Sequence, residues 1–456
     1  MGGIRTVHTR HATGRRRPTV AGRARRSNEL ALVLVAVIVT VSAYALVGLS
    51  SGPDLPPDLL PFLGFVAVLF LSGHVVVRMF APDADATLLP LAYLLNGLGY
   101  VTIARLDRDL AGLQATWTAV GIGVFTATLL LVRESKKLQR YRYTALAIAL
   151  ALLLLPLAPL VGAEIKGARI WVQLGPMNFQ PGEFAKLALV VFLAGYLVER
   201  QELLASVGPR VGPLRLPDPR HMGPLLTAWA VSLCIMVFEK DLGSSLLFFT
   251  VFLACLWVAT GRASWVVTGL SMFALGAWFA RANFEHVARR IAIWLDPWRD
   301  PHDAGFQLIQ GLFALSWGGF TGTGLGLGGD VSVPESATDM IYAVVGEELG
   351  FLGTTALLTA YLLMVGSGLR IAQRAGDRFE SLLACGLTCM LAVQTFVIVG
   401  GVTRVLPLTG ITLPFVSYGG SSLVANYALL ALLLRVSDDA TRRESLAAAA
   451  REAARR

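Results

Sequence analysis

Long apolar runs separated by short polar clusters dominate this chain. They fall at about 29–49, 57–79, 85–104, 113–132, 142–162, 183–198, 223–239, 243–259, 263–280, 341–365, 381–402 and 412–435. A helix needs roughly 20 apolar residues to cross a hydrocarbon core, and most of these runs approach or reach that length. They alternate too little for barrel strands. Backbone groups inside a bilayer must pair within their own segment, which leaves helices. The pattern predicts an all-α polytopic membrane protein of about 12 transmembrane helices. One connection, 281–340, is far longer than the others, and long loops of this kind are usually functional. Within it, Phe306 to Phe320 is apolar enough for an interfacial or re-entrant helix. Gly318 to Gly326 is glycine-rich. A nucleotide loop would need a strand before it, so this run predicts a flexible turn.

Composition supports the same class. Of 456 residues, 55% are apolar and 15% charged, and the mean hydropathy is +0.63. A soluble enzyme carries roughly 25% charged residues. The net charge of +9 is concentrated in residues 1–28, which hold eight arginines and no acid. A basic arm against a membrane span sets topology and touches anionic lipid rather than nucleic acid. The apolar run after Arg15-Arg16-Arg17 lacks a small-residue cleavage site and reads as a retained helix. Cys234, Cys255, Cys385 and Cys389 lie in apolar runs and read as buried small hydrophobes.

Charge asymmetry orients the spans. The linker 133–142 carries five Lys or Arg against one acid, 199–221 carries four arginines, and 366–380 carries three. Placing these linkers and the basic arm inside makes an even span count, with both termini cytoplasmic. The segment 281–340 then lies outside; it holds seven acids and four arginines. The tail from Ser437 reads as a short helix or a frayed end.

Charged residues at membrane spans are functional candidates. Glu183 and Lys186, after Gln180-Pro181-Gly182, share one helix face and can pair. They read either as a helix-end ion pair or as the lining of a cavity for a polar headgroup. Asp241, in Glu239-Lys240-Asp241-Leu242-Gly243-Ser244, reads as a helix cap or as part of a site. Asp296-Pro297-Trp298-Arg299-Asp300-Pro301-His302-Asp303 groups three acids on a stiffened backbone. Such an acid could act as a general base or bind a metal. Glu335 and Asp339 lead to Glu347 and Glu348, early in an apolar span, and at least one of that pair must face a cavity or a partner. Pro414 to Ser422, including Ser417, reads as close helix packing or as a site wall. These readings fit a transporter as well as an enzyme acting on a lipid-linked substrate.

Taken in order, Gly167-Ala168-Arg169-Ile170-Trp171, QPGEFAK, the DLGS turn, DPWRDPHDAGFQ, PESATDM with GEELG, and PFVSYGGSS resemble the SEDS family (shape, elongation, division and sporulation). The resemblance covers roughly 85–436. It implies a ten-helix core there, including the extracellular loop 281–340, with two additional helices at 29–84, a basic tail at 1–28 and a cytoplasmic tail at 437–456. The extra helices and Leu94 to Gly99 resemble actinobacterial RodA-type members more than FtsW-type division members. Ala337 and Met340 stand where many members have His and Phe.

The resemblance implies a peptidoglycan glycosyltransferase in the plasma membrane. It would polymerise lipid II beside a class B penicillin-binding protein and have a role in cell elongation and shape. A lipid II flippase and an FtsW-type division polymerase are the alternatives. The family's catalytic aspartate falls on Asp300, and its Glu–Lys pair on Glu183 and Lys186. Arg169 and Lys186 become candidates for the diphosphate. Asp241, Glu335, Asp339, Glu348 and Ser417 become candidate substrate-binding residues. A divalent cation, Mg or Mn, could share the diphosphate, but no metal-ligand set is readable.

Overall fold

The computed structural model describes residues 20–52, 54–158, 161–165, 168–174, 177–204, 210–211, 214–215, 223–234, 241–329 and 333–455. Most of the basic arm and residues Gly167, Glu239, Lys240 and Asp330 lie outside this set. Helices form where the apolar runs predict them. The order is α1 (Val20–Ser51), α2 (Leu59–Phe80), α3 (Leu88–Leu106), α4 (Arg108–Leu131) and α5 (Arg142–Leu154). Strands β1 (Gly162–Ile165), β2 (Ala168–Leu174) and β3 (Met177–Phe179) form a small antiparallel sheet. Then come α6 (Gly182–Leu204), α7 (Gly223–Cys234), α8 (Leu242–Thr260) and α9 (Ala263–Asn283). The long connection carries α10 (Glu285–Leu295) and α11 (Phe306–Gly318). The chain ends with α12 (Ile341–Arg374), α13 (Arg378–Val402) and α14 (Gly420–Arg455). Among the described residues, nine helices are long and apolar enough to cross a membrane, so the all-α polytopic class is the observed one.

α13 and α14 are the most deeply buried spans. α14 packs on α4, and α13 packs on α12, α8 and α6. At the end of the bundle where the basic linkers gather, polar ties replace apolar packing. Arg435 donates to Phe80 O and Leu129 O, each at 2.8 Å. Asp438 and Asp439 accept from the backbone N–H groups of Asp83 and Ser135 at 2.8 Å. α14 therefore continues as one helix through Arg455, where the sequence suggested a short helix or a frayed end.

Four local expectations change. The run 142–162 stays helical only to Leu154, then tightens into a 3₁₀ turn through Leu157 before β1. Pro156 within that run removes a backbone donor, so the α-helix cannot continue. The run 412–435 becomes helical only at Gly420. Pro414 and the Gly419-Gly420 pair keep the preceding residues irregular. The run 341–365 is broken at Gly350, whose φ is 64° and ψ −162°. Thr354 Cγ2 lies 3.4 Å from the Cβ position of Gly346, although eight helical residues would span about 12 Å. The chain therefore folds back at Gly350. Finally, the glycine-rich run is pinned rather than flexible. Phe351 N donates to Gly319 O at 2.9 Å, and Thr323 N and Gly324 N donate to Glu347 O and Glu348 O at 3.0 Å.

Candidate functional site

The irregular segment before α14 sinks into the helix bundle. Gly420 packs against Trp117, nine residues or roughly 14 Å along α4. Tyr361 OH donates to Pro414 O at 2.5 Å, and Gln394 Nε2 donates to Thr412 O at 2.9 Å. Val416 lies against Gly99 of α3, where any side chain would collide with the Val416 backbone. Irregular backbone at this depth is stable only when neighbouring elements satisfy it, and these side chains do so.

This sunken segment gathers most of the candidate residues. Ser417 Oγ donates to Thr338 O at 2.7 Å and accepts from Leu413 N at 2.8 Å. Tyr418 N donates to Ala337 O at 2.8 Å. The 333–340 stretch is thereby held on the sunken segment. Glu335 adopts a left-handed φ of 55°, and its carboxylate accepts from Thr338 Oγ1 at 3.1 Å. Asp339 Oδ2 lies 3.6 Å from the Cβ position of Gly410. Asp241 caps α8 by accepting from Ser244 N at 2.9 Å. Its neighbour Gly243 packs on Thr409 and Ile411. Ser421 Oγ accepts from Gln180 N at 2.9 Å, which ties the start of α6 to the start of α14.

One turn into α6, Lys186 Nζ donates to Glu183 Oε1 at 2.7 Å, and both side chains are buried. A cavity of about 410 Å³ borders Lys186. Among the described residues its wall is apolar, from Leu146, Leu189, Phe192, Leu247, Phe252 and their neighbours, and includes the charged Lys186.

Three candidates stand apart from this cluster. Glu348 is buried and pairs with Arg105 Nη1 at 3.0 Å. It also accepts from Gly326 N at 3.2 Å, while Glu347 accepts from Gly329 N at 3.0 Å. Both glutamates thus face protein partners. Arg169 lies exposed on β2, 3.4 Å from Glu164. Asp300 is exposed in the turn that launches α11, where its Oδ2 accepts from Ala304 N at 3.3 Å. Asp296, at the end of α10, is exposed as well. Arg289 approaches Asp303 at 3.6 Å on the same surface.

The Asp296–Asp300 turn is held by residues that the sequence did not single out. Arg404, at a left-handed φ of 61°, donates Nε to Trp294 O at 2.9 Å and Nη2 to Leu295 O at 2.5 Å. Trp294 Nε1 donates back to Arg404 O at 3.1 Å. Arg290 Nη1 donates to Thr409 O at 2.8 Å, which joins α10 to the sunken segment. One signal was available: Val287, Ile291 and Trp294 recur at helical spacing.

Among the described residues no group of three or more His, Cys, Asp or Glu side chains could hold a metal ion.

A family model covering FtsW, RodA and SpoVE, described as "Cell cycle protein", matches residues 108–442. The chain is 44% identical over 429 residues to the peptidoglycan glycosyltransferase RodA of Mycobacterium tuberculosis, covering 92% of each. It is 38% identical over 286 residues to a probable peptidoglycan glycosyltransferase FtsW of Geobacter sp., covering 62% of this chain and 75% of that one. Among solved structures, one described as "Structural coordination of polymerization and crosslinking by a peptidoglycan synthase complex" contains a similar chain. The TM-score is 0.64 at 29% identity, covering 78% of this chain and 98% of that one.

Proposed function

The chain belongs to the FtsW/RodA/SpoVE family, and from that premise we propose that it is a RodA-type peptidoglycan glycosyltransferase serving cell elongation. It is a multi-pass membrane protein. The observation that carries the reading is the match to RodA along 92% of the chain, whereas the match to FtsW covers 62%. In this reading the chain polymerises lipid II into β-1,4-linked glycan at the outer face of the plasma membrane. Both termini are cytoplasmic, as the basic linkers suggest. The solved synthase complex supports a class B penicillin-binding protein as partner.

The chemistry needs one inversion, because the donor sugar is α-linked to diphosphate and the product linkage is β. A single displacement requires a base on the acceptor 4-hydroxyl and a cation at the departing diphosphate. This parallels inverting glycosidases by analogy. Asp300 takes the proton; its exposed carboxylate accepts from Ala304 N in its own turn. Such help is worth about 10²–10⁴-fold. Lys186 has three N–H donors, of which Glu183 takes one, so it can also meet a phosphate oxygen. Arg169, on the exposed sheet, is a second diphosphate contact. Asp241, Glu335, Asp339 and Ser417 shape the floor and rim that orient the two lipid-linked sugars, while Glu348, paired with Arg105, acts at a distance by holding the Gly326 turn. The apolar cavity beside Lys186 suits a prenyl chain whose diphosphate lies at its charged end. Among the described residues no cluster could hold a metal, and no step is assigned to Mg or Mn.

The test is polymer formation from labelled lipid II in detergent, where there is no bilayer to cross. Polymer identifies a glycosyltransferase. Failure to form polymer, with movement of lipid II across reconstituted vesicles, would favour a flippase.

A further inference from the structure

α1 and α2 precede the family match, which begins at residue 108, yet α1 touches the loop that carries the site. Gly326, at φ 77°, passes over the last turn of α1. A Cβ at that position would strike Ser50 Oγ, and it would lie 3.0 Å from Ser50 Cβ and 3.3 Å from Val47 Cα. The Ser50 hydroxyl is turned back onto Val47 O at 2.7 Å, so it presents a compact surface. From the opposite side, Gly326 N donates to Glu348 Oε2 at 3.2 Å, and Arg105 holds Glu348 at 3.0 Å. Gly326 is therefore gripped between α1 and α12. A side chain here is strained by the left-handed φ and has to displace the Ser50 hydroxyl.

The α1–α2 hairpin is itself fixed at both ends. At the loop end, Tyr44 OH donates to Asp58 Oδ2 at 2.7 Å, and the Phe62 ring lies 4.2 Å from Tyr44 and 5.1 Å from Tyr100. Midway, Phe70 stacks on Tyr93 of α3 at 4.0 Å. At the other end, Arg26 pairs with Glu29 and donates to Pro82 O and Ala84 O, while His74 Nδ1 lies 2.7 Å from Glu29 Oε1. Anchoring in lipid alone would require neither the contact with Gly326 nor the buried ion pair.

We infer that the α1–α2 hairpin is a brace for the site-bearing loop, with Ser50 and Val47 as positioning residues. They set the place of the Gly318–Gly329 turn against Glu347 and Glu348. Through α11, which ends in that turn and begins beside Asp300, they set the place of the Asp300 turn. The activity arm of the test rests on the glycosyltransferase reading; the contact arm does not.

The experiment uses the full-length protein with Ser50→Cys and Gly326→Cys in a background whose four native cysteines are serines. Membranes are oxidised, and the cross-link is read by mass spectrometry of the linked peptides. Lipid II polymerisation is then measured before and after reduction. The brace predicts that the disulfide forms and that the oxidised protein polymerises within about twofold of its reduced form. Absence of the disulfide overturns the contact. A disulfide that abolishes activity until reduced overturns the brace, because the turn would then have to leave α1 during turnover.

A cysteine at a left-handed position strains the turn, so a second variant leaves Gly326 untouched. Ser50→Trp pushes on the turn from α1. It should lower kcat roughly tenfold to a hundredfold, with KM for lipid II and the unfolding temperature little changed. A wild-type kcat in Ser50→Trp overturns the positioning role. If the wild type makes no polymer while the cross-link forms, the glycosyltransferase reading fails and the contact stands.

Discussion

Lys186 Nζ and Glu183 Oε1 lie 2.7 Å apart on the first turns of α6, and both side chains are almost wholly buried. Their spacing of three residues puts them on one face, and their burial removes competing water. Breaking such a pair leaves a buried charge without its counter-ion, which costs about 3–5 kcal/mol. Glu183→Ala should therefore lower the unfolding temperature in detergent and abolish polymerisation together. The Glu183→Gln/Lys186→Met double variant should recover stability without recovering polymer. An active double variant would make the pair purely structural.

Gly350 reverses the chain inside what hydropathy reads as one span. Its φ is 64°, and an added Cβ would collide with Phe320 and Gly322. Gly350→Ala should cost about 1–3 kcal/mol from the backbone alone, with more from the collision. Reduced yield of monodisperse protein and a lower melting temperature would show it. Unchanged melting would mean that the fold-back is not required.

Ser417 fastens two motifs by accepting from Leu413 N and donating to Thr338 O. Ser417→Ala orphans both backbone groups, and each buried loss costs about 1–3 kcal/mol. The variant should melt earlier and lose kcat more than it raises KM. A pure rise in KM at unchanged stability would instead make the hydroxyl a direct substrate contact.

Arg404 secures the end of α10 by donating to Trp294 O and Leu295 O. Arg404→Ala frees the Asp296–Asp300 turn while leaving both carboxylates in place. A loss of roughly tenfold to a hundredfold in kcat is expected, because misplacement of about 1 Å is enough to cause it. Global stability should change little. Steady-state polymerisation with matched protein yields checks this.

The twelve apolar runs were legible because span length is a local property, and each carries a helix. The Glu183–Lys186 contact was legible for the same reason, through its spacing. The Gly350 fold-back was not, because Gly346, Leu349 and Phe351 continue the apolar pattern across it. The sinking of 409–418 depends on partners distant in sequence, Tyr361 and Gln394, which no local pattern announces. α10 is short and set in a charged loop, so its period of Val287, Ile291 and Trp294 was easily missed. Asp300 came from the family resemblance. Its exposure and that of Asp296 are alike, and local chemistry does not separate them.

That ambiguity sets the most direct measurement. Labelled lipid II is given in detergent to the wild type, Asp300→Asn and Asp296→Asn, each with a co-purified penicillin-binding protein whose transpeptidase is blocked. If Asp300 is the base, Asp300→Asn loses about 10²–10⁴-fold in rate while Asp296→Asn retains most activity. Equal polymer from the wild type and Asp300→Asn, with loss in Asp296→Asn, would contradict the assignment and move the base four residues toward α10.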